Sequence, residues 1–175
     1  MRYRLDVVAS SVVDVVRFAG GWLFDRAMAG WDVTVLLTDL ADRPDDRPLH
    51  ILGVQTLDLE FALASVETRP RPQALAAAAD LLGCDSRVRR GVLQALDHGG
   101  TEVTLWGETC PAELDSSVGP VQHRLSMAAQ IFKAQALAAA LNDGGAPASS
   151  IGLTETFRSG LMACPSVAAD LVPAS

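Results

Sequence analysis

Apolar positions along the chain switch between two periods, and the switches mark its elements. Residues 3–9, YRLDVVA, are short and rich in β-branched residues, which predicts a strand. Ser10 and Ser11 follow as N-cap candidates, and the period changes there. Val12, Val15, Val16, Ala19, Trp22 and Leu23 recur at three- and four-residue spacing, predicting a helix over 12–29 that Gly30 ends. Gly20 and Gly21 lie inside that stripe. A mid-helix glycine costs roughly 1 kcal/mol against alanine. Either the helix breaks and restarts at Trp22, or another element packs closely against it.

Asp32 to Thr38, DVTVLLT, is nearly continuous in apolar residues and predicts a strand buried on both faces. The polar stretch 39–48 reads as a loop, and LHILGV (49–54) as a second buried strand. Residues 56–63 alternate, which suits a strand with one wet face or the start of a short helix. The alanine-rich run 73–97 predicts two helices broken near Gly83 to Asp85, with Asp85 or Ser86 capping the second. TEVTLWGE (101–108) predicts another strand, and Val121 to Leu141 one long helix. From Gly144 the pattern fades into GGAPASSIG and a run ending in small residues.

This order predicts an α/β fold: a mostly parallel sheet of about four to five strands flanked by helices, a Rossmann-like or degraded RecA-like three-layer core. The division expected is a single α/β domain over 1–143. A linker-like segment and a C-terminal tail, loosely packed or docked on a partner, then occupy 144–175.

Composition narrows the function more than the fold. The 175 residues are 49% hydrophobic and 20% charged, which suits a globular chain with a real core. The net charge of −7 argues against nucleic acid as a partner, because such binding relies on many Lys and Arg contacts to phosphate. No stretch is apolar for the roughly 18 residues of a membrane helix. Asp6 and Asp14 interrupt the N-terminal apolar run, so it does not read as a signal peptide, and a cytoplasmic location is expected. Cys84, Cys110 and Cys164 are scattered, with no CxxC, and read as reduced thiols.

Candidate chemistry is sparse. In a parallel sheet ligands gather at the carboxyl ends of strands. Ser10 and Ser11 sit at such an end, where two hydroxyls and helix N–H groups suit a small anionic ligand. Asp39, after the second strand, sits where a ribose-binding carboxylate would lie. Neither GxGxxG nor GxxxxGK[ST] is present, and the only lysine, Lys133, falls in a late helix. His50, Asp45, Asp46 and Asp58 form no metal-binding spacing, and a Cys110–His123 pair has no supporting motif. No metal and no cofactor is therefore expected. Trp22, Trp31 and Trp106 are candidate interface aromatics, and Arg87, Arg89 and Arg90 a candidate basic face for an acidic partner.

The stretches AGGWLFDRAMAGWDVTVLL, RPLHILG, VRRGVLQALD, TEVTLWGE and VQHRLSMAAQIFKAQALAAA resemble a group of small proteins from high-GC actinobacteria. The resemblance spans most of residues 5–141 and implies no particular activity. Two readings follow. The first is a non-catalytic regulatory or protein-interaction module with a protein partner or self-association. The alternative is a small-molecule or nucleotide-binding α/β protein, possibly an enzyme, with its site at the carboxyl ends of the first two strands.

Overall fold

The computed structural model of the chain describes residues 2–38, 45–142, 151–160 and 170–174. Strand β1 (Arg4–Ala9) leads through helix α1 (Val12–Met28) to β2 (Asp32–Leu37). β1 and β2 pair in parallel, so the predicted βαβ unit forms as read. Next come α2 (Arg47–Ile51), β3 (Gln55–Asp58), α3 (Leu59–Ala64), β4 (Ala74–Ala78), α4 (Leu81–Cys84), α5 (Ser86–His98) and β5 (Glu102–Trp106). The chain then adds β6 (Val118–Arg124), α6 (Met127–Leu141), β7 (Thr154–Gly160) and β8 (Val172–Pro173).

The sheet has eight strands in the order β3-β2-β1-β4-β5-β7-β6-β8. Its first five are mutually parallel, and β7, β6 and β8 join antiparallel. The expectation of a mostly parallel sheet of four to five strands is thus corrected to a larger mixed sheet within the same α/β class. The connections from β1 step one way along the sheet and the β4-α5-β5 crossover steps the other. Right-handed crossovers then place α5 on the face opposite α1. α1, α2 and α6 pack together on their own face.

Three elements differ from the sequence reading. The run at 49–54 is helical at its start, not a strand. Pro48 sits in the first turn of α2, Leu49 and Leu52 are buried three residues apart, and Gly53 turns the chain at φ 74°. A short apolar run carries too few periods to separate the two states. The first alanine-rich segment is not a helix but β4, the strand between β1 and β5. Alanine prefers helix by tenths of a kcal/mol, a preference that pairing on both edges and burial override. The long helix expected over 121–141 is β6 followed by α6, with Ser126 capping α6 by accepting from the Ala129 N–H at 3.0 Å. Residues 154–160, expected in the loose tail, are β7, hydrogen-bonded between β5 and β6. Ile151, Phe157 and Leu171 are buried.

The two glycines of α1 are explained by close packing rather than by a break, since the helix is continuous from Val12 to Met28. A Cβ on Gly21 would lie 2.3 Å from Leu125 Cδ2 and 2.4 Å from its Cγ, and one on Gly20 would lie 3.3 Å from Leu52 Cδ1. Gly91, in the middle of α5, has nothing within 4 Å of that position. Opposite signs are therefore expected. Gly91→Ala stabilises by about 0.5–1 kcal/mol through helix propensity. Gly21→Ala destabilises by about 1–3 kcal/mol, because overpacking outweighs the same propensity gain. Urea unfolding of both variants checks this.

Candidate functional site

Because β1, β4 and β5 run parallel, their carboxyl ends meet at one edge of the sheet. Connections leave β1 and β4 in opposite directions, so no crossover covers the gap between them. A cavity of about 220 Å³ opens there. Ala9, Ser10 and Ser11 line it from β1, together with Asp14 and Phe18 of α1. Ala78 and Asp80 line it from β4, and Trp106, Gly107, Glu108 and Thr109 from β5.

Local structure explains each position. Ser11 is the N-cap of α1, in extended backbone, and its hydroxyl accepts from the Asp14 N–H at 3.3 Å. That bond brings the first turn, with its carboxylate, to the rim. Asp80 caps the short α4 by accepting from the Leu81 N–H at 3.0 Å. Gly107 has φ 109°, a conformation a side chain would strain, and it turns the chain so that Glu108 and Thr109 reach the cavity.

The lining sets the electrostatics. Three carboxylates, Asp14, Asp80 and Glu108, share the cavity with the hydroxyls of Ser10, Ser11 and Thr109, and among the described residues no Lys, Arg or His lines it. Phe18 and Trp106 supply an aromatic wall. Such a site favours a cation or a hydroxyl-rich molecule and repels phosphate. It can also take a proton from water through a carboxylate while hydroxyls donate to a carbonyl oxygen.

The structure therefore brings Ser10 and Ser11 to the cavity together, while Asp39 falls outside the described residues. Asp14, Asp80, Glu108 and Thr109 were missed by the sequence reading. Asp80 was hidden because its segment reads as helix. Glu108 and Thr109 had a legible signal, a polar cluster after Gly107 at a strand end.

The interface candidates sit elsewhere. Trp22 is fully buried and its indole donates to the Asp170 carboxylate at 2.8 Å. Trp106 is buried and faces the cavity. Trp31 is half-buried and stacks on Tyr3 at 5.1 Å. The reading of exposed anchors is corrected for Trp22 and Trp106, whose rings fill the core, while Trp31 lies at its edge. The arginines of α5 are engaged by the chain's own carboxylates. Arg87 binds Asp85 and Glu60, and Arg89 binds Glu113; Arg90 is exposed.

The Arg87 guanidinium, which hydrogen-bonds Asp85 against a small burial penalty, lowers that carboxyl to about 2. Asp85 also caps α5 through the Arg87 and Val88 N–H groups. A depressed carboxyl stabilises the fold above its unfolded value of 3.8, and that share is lost as pH falls through about 2. Asp85→Ala is therefore expected to cost about 1 kcal/mol at neutral pH. The difference from wild type closes only below pH 3.8, as read by thermal unfolding across a pH series.

Cys110 and His123 do not form a nucleophile–base pair. His123 lies on β6, with Nδ1 facing the Asp170 carbonyl at 2.9 Å and Nε2 facing the Asp25 carboxylate at 2.8 Å. Both ring nitrogens are thus engaged. Asp25 also accepts from the Ser126 hydroxyl at 2.5 Å, tying α1 to the start of α6. The acidic loop candidates pair off locally: Asp45 with Arg47, Asp46 with Thr56 and His50, and Asp58 as the cap of α3. Among the described residues no three His, Cys, Asp or Glu side chains converge on a metal position. Nor is any helix long and apolar enough to cross a membrane.

No protein-family model matches the chain, and no curated protein matches it by sequence. Solved structures do match by fold. One is the crystal structure of the antimicrobial reagent A40926 pseudoaglycone deacetylase Dbv21, with a TM-score of 0.61 and 16% identity, covering 94% of this chain and 99% of that one. Another is a triple mutant of a deacetylase, Orf2*T, involved in the teicoplanin biosynthetic pathway. It has a TM-score of 0.61 and 16% identity and covers 89% of this chain and 97% of that one. Two enzymes thus share nearly the whole architecture, which overturns the reading as a non-catalytic protein-interaction module. At this identity what the chain has in common with the two deacetylases is the fold.

Proposed function

We propose that the chain is a small-molecule enzyme whose substrate sits in the cavity at the carboxyl ends of β1, β4 and β5. The reaction class is hydrolysis of an N-acyl bond on a small, hydroxyl-rich molecule. The observation that carries this reading is the lining itself: Asp14, Asp80 and Glu108 with Ser10, Ser11 and Thr109, at the point where the strand order reverses. The order β3-β2-β1-β4-β5 is that of Rossmann-like sheets, which bind their ligands at this place. That both fold relatives are deacetylases supports the reaction class.

In this reading a carboxylate of the cavity, Asp14 or Glu108, takes the proton of the attacking water. Hydroxyl donors face the acyl oxygen; the same carboxyl then gives its proton to the nitrogen as the C–N bond breaks, the acyl group leaves as a carboxylic acid, and the amine takes up that acid's proton and is held as a cation among the carboxylates. The aromatic wall of Phe18 and Trp106 packs the apolar face of the ring. The alternative of a nucleotide is disfavoured by the same lining, since a phosphate would meet three carboxylates and, among the described residues, no basic side chain.

A thermal-shift panel of amino sugars, their N-acyl derivatives and nucleotides tests this. A ligand present at 100 times its Kd adds about 2.7 kcal/mol, a rise of roughly 5–10 °C for a chain of this size. That rise is expected with amine or N-acyl ligands and is absent in Asp14→Asn plus Glu108→Gln. Release of a primary amine from the stabilising N-acyl compound then reads the reaction. A rise with nucleotides alone, or one that survives the double substitution, would overturn the proposal.

A further inference from the structure

Arg4, Asp32 and Gln55 are the first residues of β1, β2 and β3, at the end of the sheet away from the candidate active site. A second cavity, of about 250 Å³, opens there, and Arg4, Asp32, Thr34, Gln55, Leu57 and Arg69 are among its lining. The strand register sets Arg4 beside Asp32, Asp6 beside Thr34, and Thr34 beside Gln55, so these side chains share one face of the sheet. The charges on that face are unevenly paired. Arg4 gives Nε and Nη2 to the Asp6 carboxylate at 3.0 and 3.3 Å, and Nη1 to the Pro70 carbonyl at 3.1 Å. Arg69 reaches Asp6 through one contact at 3.5 Å, and its other N–H groups have no acceptor among the described residues. Asp32 is exposed and pairs with neither arginine. Thr34 is only 7% exposed, yet its hydroxyl also has no hydrogen-bond partner among the described residues. Buried polar groups are ordinarily bonded, so one left open on a cavity wall marks a place where a ligand completes the bonding.

We propose that this cavity binds a free α-amino acid, recognised through its two charges. The carboxylate lies against the open N–H groups of Arg69 and the Thr34 hydroxyl, and the ammonium lies against Asp32. The pairing of charges selects this class. Asp6 is held by Arg4, so Arg69 and Asp32 remain as one cation and one anion that face the same space without meeting. A simple anion such as phosphate would meet Asp32, and a simple amine would meet Arg69. A molecule that carries both charges a short distance apart satisfies both. Leu57, partly buried on β3, adds an apolar wall for a side chain. The cavity lies at the opposite end of β1 from Ser10 and Ser11, so amino-acid binding does not depend on the proposed hydrolysis.

Amide NMR of the full chain, titrated with glycine, leucine, acetate, ethylamine and inorganic phosphate, tests this. Glycine and leucine are expected to shift the Asp32, Thr34 and Gln55 signals saturably. Acetate and ethylamine each lack one charged contact and should bind at least about 10-fold more weakly. Arg69→Met and Asp32→Asn should each weaken amino-acid binding by about the same factor. Asp32 is exposed, so Asp32→Asn should keep the wild-type Tm and separates lost binding from lost folding. No saturable shift with either amino acid would overturn the proposal. So would acetate or phosphate binding as tightly as glycine, shifts confined to Ser10, Ser11 and Glu108, or binding that survives both substitutions.

Discussion

Glu155→Ala is expected to lower stability by about 3–5 kcal/mol, because it removes the anion that a buried cation and two helix N–H groups share. The carboxylate on β7 reaches into the middle of α1, accepting from the Gly21 N–H at 2.9 Å and the Trp22 N–H at 2.8 Å. Lys133 of α6 donates to the same carboxylate at 2.5 Å and to the Arg17 carbonyl at 2.6 Å. An ion pair thus lies against α1 at the step between Arg17 and Gly21. Gly21 is what allows the approach: a Cβ there would lie 3.2 Å from Glu155 Oε1 as well as against Leu125. Glu155→Gln keeps the shape and should lose less. In a double-mutant cycle, Lys133→Met combined with Glu155→Ala should cost less than the two losses added, by about 0.5–3 kcal/mol. Chemical denaturation measures all four forms. A loss below about 1 kcal/mol for Glu155→Ala would show that the carboxylate is not needed there.

The second large effect is expected at Arg26, whose side chain is 1% exposed. Its guanidinium binds Glu102 at 2.9 Å and Asp170 at 2.7 Å, and lies 4.6 Å from the Trp22 ring centre and 4.3 Å from that of Trp31. Burial pushes the Glu102 carboxyl up, with Arg26 opposing it. Burial also acts upward on Asp170, but there the hydrogen bonds and charge of Arg26 prevail and the carboxyl is lowered. Arg26→Met should cost about 3–5 kcal/mol at neutral pH and leave a pH signature. With the cation gone, only the Thr104 hydroxyl still opposes burial at Glu102, so its folded-state pKa rises further. A carboxyl raised in the folded state stabilises at low pH, and that share disappears as pH rises through its folded value. The variant should therefore lose stability more steeply than wild type as pH rises above the ordinary carboxylate range. Parallel stability curves would refute the assignment.

Both networks bear on what could be read from the sequence. Lys133 stood out as the only lysine, and Gly20 and Gly21 as costly interruptions of a helix, and each proves to belong to the packing of α1 against α6 and β7. The partner that joins them, Glu155, lies 134 residues from Gly21 in a stretch whose pattern reads as tail. The founding βαβ unit, the Ser11 and Asp85 caps and β5 were legible, because local period and capping chemistry determine them. β4 was not, because five residues of alanine and leucine specify a strand only when β1 and β5 flank it. The candidate site was half legible. Ser10 and Ser11 follow from the rule that ligands gather at strand ends, whereas Asp80 and Glu108 join them through sheet order.

The sequence by itself determined the α/β class and the first crossover, and it narrowed Gly20 and Gly21 to a helix break or a close contact; these rest on periodicity, caps and conformational cost within a few residues. Only the tertiary structure decided that β7 closes the sheet from the far end of the chain, that two of the tryptophans are core and not interface, and that three carboxylates meet in one cavity. The reason is physical. Strand pairing and pocket lining join residues about 30 to 100 positions apart, and the free energy of those contacts belongs to the pair, not to either segment alone.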